Sequence, residues 1–126
     1  MFDVSKTGTH RFDARLRGVD VTCIVAFNND GHAEVSIEAT ASGLAAGLRD
    51  ISKFAGYCQR TLVLVSSSPE TEALASVLAS YFGFGLAIVS NGAQREVMPP
   101  PDMFRPEDDG PRRAFTRRVL AHLSRD

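Results

Sequence analysis

The stretch Gly18–Thr40, GVDVTCIVAFNNDGHAEVSIEAT, decides the fold. Val19, Val21, Cys23, Val25 and Phe27 alternate with Asp20, Thr22, Ile24 and Ala26. After a break, Ala33, Val35, Ile37 and Ala39 alternate with Glu34, Ser36, Glu38 and Thr40. A period of two is that of half-buried strands. Asn28-Asn29-Asp30-Gly31 between them is a turn signal. With Asn29, Asp30 and Gly31 as a three-residue loop, Asn28 pairs with His32. Thr22 then lies opposite Glu38, and Asp20 opposite Thr40. Opposed residues share a face, so the large apolar residues gather on one side and Asp20, Thr22, Glu38 and Thr40 on the other. A loop one residue shorter or longer would split that set.

Working outward, Arg11 to Arg17 also alternate, ending at Gly18, so a three-stranded antiparallel meander is expected. Ser42 is placed to cap a helix running to about Cys58, with Leu44, Leu48, Ile51, Ala55 and Cys58 as its apolar stripe. Thr61 to Ser66, TLVLVS, reads as a central strand buried on both faces. Ser68-Pro69 opens a helix with Glu70 and Glu72 in its first turn and Ala73, Leu74, Val77, Leu78, Tyr81 and Phe82 as its apolar residues. A strand over Leu86–Ser90, a tight Asn91-Gly92 turn and a strand over Gln94–Met98 follow. Residues 1–98 thus form an α/β core, 99–111 a proline-rich connection, and 112–126 an amphipathic helix carrying Phe115, Val119, Leu120 and Leu123, in a single domain overall.

The 126 residues are 44% hydrophobic and 23% charged, the composition of a globular domain with one core. No apolar run approaches the roughly 20 residues that span a bilayer, and no secretory signal is visible. Cys23 and Cys58 lack metal spacing and are expected as buried free thiols. A cytoplasmic protein without membrane association is therefore expected. His10, His32 and His122 are scattered, which disfavours a histidine metal site. Ser66, Ser67 and Ser68 precede a helix and are better read as capping than as an anion site. The chain's formal charge is −1, carried with twelve arginines and only two lysines. Arg11, Arg15 and Arg17 near the start, and Arg112, Arg113, Arg117, Arg118 and Arg125 near the end, are candidates for a phosphate-binding stripe or for an ordinary solvated face.

The succession of strand, strand opening on Gly18-Val19-Asp20-Val21, turn, strand closing on Ser36-Ile37-Glu38-Ala39-Thr40, helix and buried strand resembles the PD-(D/E)xK nuclease core. The resemblance extends through Leu48-Arg49-Asp50-Ile51-Ser52-Lys53-Phe54-Ala55-Gly56-Tyr57 to Gly85-Leu86-Ala87-Ile88-Val89. It implies a restriction-endonuclease-like core with a mixed central sheet. It implies Asp20 and Glu38 as magnesium ligands, with Thr40 where the family has lysine. A migrated lysine is then sought in Lys53, one helical turn before Tyr57. DNA, contacted by Arg15, Arg17, Arg112, Arg113 and Arg117, is the implied partner, and homodimerisation is a family habit. Phosphodiester hydrolysis needs a hard cation to activate water, and threonine cannot supply the positive charge that lysine would. Three functions remain open: a metal-dependent phosphodiesterase with a noncanonical site, a degenerate DNA-binding relative, and a noncatalytic regulatory or protein-interaction domain.

Overall fold

The structure is a computed structural model that describes residues 8–27, 33–65, 68–101 and 110–124. Its strands are β1 (Thr9–Leu16), β2 (Val19–Phe27), β3 (Ala33–Ala41), β4 (Gln59–Val65), β5 (Gly85–Ser90) and β6 (Ala93–Met98). Its helices are α1 (Leu44–Ser52), α2 (Pro69–Phe82) and α3 (Gly110–Ser124). The strands form a six-stranded mixed sheet in sequence order, β1-β2-β3-β4-β5-β6. The first three are antiparallel, β4 and β5 each join in parallel after a helical crossover, and β6 returns antiparallel.

The β2–β3 register has Thr22 opposite Glu38, Cys23 opposite Ile37 and Phe27 opposite Ala33, as the three-residue loop requires. The loop itself lies outside the described residues. Every second residue of the meander faces the core: Val21, Cys23 and Val25 from β2, with Val35, Ile37 and Ala39 from β3. The helices cover that face alone. Gly47 of α1 lies so close to Leu62 and Ala41 that a Cβ there would meet Leu62 Cδ1 at 2.7 Å. Phe115 of α3 packs edge-on to Phe54, their ring centres 5.9 Å apart, and also touches Tyr57. Tyr57 carries the Arg17 guanidinium 4.5 Å above its ring.

Three expectations need correcting. Helix α1 spans nine residues rather than running from Ser42 to Cys58, and its N-cap is Gly43, with no side-chain cap bond. Past Ser52 the chain continues as turns, and Gly56 takes φ +83°, outside the helical region. Phe54, not Ala55, enters the core. The third correction concerns α2. Its ends are as expected: Ser68 Oγ accepts the Thr71 N–H at 3.1 Å, Pro69 opens the helix, and Gly83 closes it at φ +79°. Most of its expected apolar face is turned outward, however. Ala75 and Ala79 are the residues it buries, whereas Leu74, Val77, Tyr81 and Phe82 point outward. Of the large residues expected there, Leu78 does pack half-buried against the core beside the two alanines, and Leu86 and Ile88 of β5 supply the bulk beneath them.

Candidate functional site

The second face of the sheet, away from the helices, collects the polar halves of the meander. Asp13, Asp20, Thr22, Glu38 and Thr40 line an open groove of about 540 Å³. Asp20 and Glu38 are diagonal neighbours on adjacent antiparallel strands, a spacing of roughly 7–8 Å between backbones. Each carboxylate is already engaged. Arg11 Nη2 donates to Glu38 Oε1 at 3.0 Å, reaching across β2. Arg15 Nη1 donates to Asp20 Oδ1 at 2.9 Å, and the Thr22 hydroxyl donates to Asp13 Oδ1 at 3.0 Å. The Asp20 side chain is 81% exposed, that of Glu38 23%. Carboxylates and guanidiniums therefore alternate, and these exposed pairs contribute little stability.

Lys53 does not join this groove. It is the exposed C-cap of α1, on the helical layer, while Glu38 faces the other way. The strand period requires this: Ile37 and Ala39 face α1, so Glu38 and Thr40 cannot. Tyr57 lies with Phe115 and Arg17, also on the helical side. Among the described residues, no group of three or more His, Cys, Asp or Glu is arranged to hold a metal ion. The arginines divide likewise. Arg11 and Arg15 lie on the groove face, whereas Arg17 joins the layer of α3, which carries Arg112, Arg113, Arg117 and Arg118. Arg11 and Arg15 thus lie on the opposite side of the sheet from Arg17 and the arginines of α3.

Two features escaped the sequence reading. The first is Arg60, at the head of β4 and only 8% exposed. Its Nη1 donates to the Ile51 carbonyl at 3.0 Å and its Nη2 to the Phe82 carbonyl at 2.7 Å. One side chain thereby bonds to the C-terminal ends of α1 and α2 together. Each helix end carries on the order of half a negative charge, so the pair offsets the guanidinium without a carboxylate. Burial lowers the Arg60 pKa from the usual arginine value, with the Cys58 thiol acting in the opposite sense. Beside it Leu48, Ile51, Ser52, Ala55, Phe82 and Phe84 line a cavity of about 290 Å³. The second feature is the outward apolar stripe of α2. Its signal was available: alanines at 75 and 79 set opposite bulky residues at 74, 77 and 81.

No protein family and no curated protein matches the chain. Among solved structures, a protein of unknown function from Silicibacter pomeroyi is similar, with a TM-score of 0.55 and 16% identity over 98% of this chain and 79% of that one. The likeness supports the α/β architecture. No helix among the described residues is long and apolar enough to cross a membrane.

Proposed function

We propose that this is a noncatalytic α/β interaction domain that docks a protein surface on the outer face of α2. The observation that carries this reading is the exposure of Leu74, Val77, Tyr81 and Phe82, at 52%, 63%, 79% and 55%. Single exposed apolar residues need no explanation, but four contiguous large ones mark interaction surfaces. The groove offers less to catalysis: both carboxylates are bound to arginines, the third position is threonine, and Lys53 lies across the sheet. A photo-crosslinking amino acid at position 81 is expected to give protein adducts in cells, while the same group at Arg49, exposed on α1, gives none. Equal labelling at the two positions, or none at 81, refutes the reading.

The shared groove of Asp20 and Glu38 favours a second reading, a divergent PD-(D/E)xK relative with a restriction-endonuclease-like core. Asp20 and Glu38 would hold magnesium, and DNA would be either cleaved or only bound, through Arg15, Arg17, Arg112, Arg113 and Arg117. Lys53 has no role at the groove in this geometry. Cleavage of supercoiled and single-stranded DNA with magnesium or manganese tests it. Nicking abolished by Glu38→Ala would replace the interaction-domain reading with this one.

A further inference from the structure

We propose that the occupant of the α2 surface is a second copy of this chain, its α2 laid antiparallel about a two-fold axis through Val77. The inference rests on the docking reading above and adds the partner. Three observations select a second copy.

The first is shape. The outward face of α2 runs Glu70, Ala73, Leu74, Val77, Ser80, Tyr81, with small residues and bulky ones offset along its length. Antiparallel packing about Val77 sets Tyr81 against Ala73 of the second copy and Leu74 against its Ser80. Tyr81 and Leu74 then each meet a small residue, and the two Val77 side chains meet on the axis. A shallow depression formed by Ser76, Val77, Ser80 and Tyr81 is placed to receive the opposing Leu74. Parallel packing would instead stack Tyr81 on Tyr81 and leave Ala73 facing Ala73.

The second is charge. Glu70 is the sole charged residue of that outward face, at its N-terminal end. The antiparallel arrangement keeps the two Glu70 carboxylates at opposite ends of the interface and opposes the two helix dipoles favourably. The parallel arrangement brings like charges together. The third is area. From their exposures, Leu74, Val77 and Tyr81 offer roughly 400 Å² per copy, so about 800 Å² for the pair before the flanking Ala73 and Ser80 are added, the size of a weak, reversible interface. A two-fold contact is self-complementary by construction, and one of this size gives a concentration-dependent dimer in place of an obligate one.

Sedimentation of the purified full chain across a range of concentrations is expected to show monomer and dimer of the 13.6 kDa chain in exchange. Val77→Lys is expected to weaken the dimer at least about tenfold while leaving the thermal midpoint of the chain at monomeric dilution unchanged, because position 77 is exposed in the single chain. Under oxidation Val77→Cys should give a disulfide-linked dimer and Glu70→Cys none. The native thiols do not compete, since Cys23 and Cys58 are buried. A wild-type chain that stays monomeric, or a dimer indifferent to Val77→Lys, overturns the inference, and crosslinking of Glu70→Cys in place of Val77→Cys overturns the antiparallel geometry. If the chain is monomeric but position 81 crosslinks to a protein of another mass in cells, the docking surface stands and the second copy falls. If position 81 crosslinks nothing, both fall.

Discussion

Replacing Arg60 by methionine is the most informative stability experiment, because it separates two accounts of a buried arginine. Methionine keeps the unbranched stem and removes both donors. The two carbonyls do not lose equally. Ile51 O also accepts the Phe54 N–H at 3.1 Å, so it stays bonded, and its loss is about 1 kcal/mol. Phe82 O accepts Nη2 at 2.7 Å in a partly buried setting, where losing a charge-assisted bond costs about 2–3 kcal/mol. The sum is about 3–4 kcal/mol, a large share of the 5–15 kcal/mol that stabilises a domain. For a chain of this length the unfolding entropy converts that into a fall in Tm of about 11–15 °C. Arg60→Lys keeps the charge but cannot fork to both helix ends, so about half the fall is expected. Differential scanning calorimetry with urea titration at neutral pH measures both variants. Buried ionic groups are in some proteins replaced by apolar ones at no cost. An Arg60→Met protein within about 2 °C of the wild type would therefore refute the claim that Arg60 ties α1 and α2 together.

Four further outcomes follow from particular contacts. Burial, with the Asp13 charge adding to it, pushes the Cys23 thiol up to about 11; burial, with the Cys23 thiol adding to it, pushes Cys58 to about 12. Both folded values exceed the ordinary 9.0, so their contribution is intact below pH 9. It then declines by at most about 1.4 kcal/mol per pH unit for each thiol as the unfolded chain ionises first; urea midpoints between pH 8 and 11 should fall, and Cys23→Ala/Cys58→Ala should flatten the decline. Gly85→Ala would place a Cβ 2.7 Å from the Pro100 nitrogen and from Thr61 Oγ1, displacing backbone and lowering stability by about 1–3 kcal/mol, read by chemical denaturation. Ser68→Ala removes the oxygen that accepts the Thr71 N–H and should cost about 1 kcal/mol, whereas Arg11→Ala, which releases an exposed pair with Glu38, should cost less than about 1 kcal/mol.

The meander was legible because a period of two, a turn tetrapeptide and one loop-length assumption suffice to set its register. The ends of α2 were legible because Ser68, Pro69 and Gly83 each act locally. The end of α1 was not: Phe54, Ala55 and Tyr57 continue an apolar pattern that the turn around Gly56 breaks. The groove was half legible. The alternation that unites Asp20 with Glu38 also fixes α1 on the opposite side, since a helix packs against the Ile37 face, and Lys53 goes with it. Arg60 was hidden because a charge at the head of an apolar strand looks like a boundary. Its acceptors, Ile51 and Phe82, lie 9 and 22 residues away.

Strand order that repeats chain order bears on how the molecule assembles. Each new strand joins the edge left by the one before it, so a chain emerging from the ribosome can extend the sheet by one strand at a time. The antiparallel joins close over short connections and the two parallel ones over a single helix each, which keeps the entropic cost of each addition modest. Helix α3 is the exception. Its Phe115 returns past β4, α2, β5 and β6 to Phe54 and Tyr57. Until it arrives, the apolar surface around those rings has no lid, and after β6 is finished the nascent domain stays open there to chaperones and to aggregation.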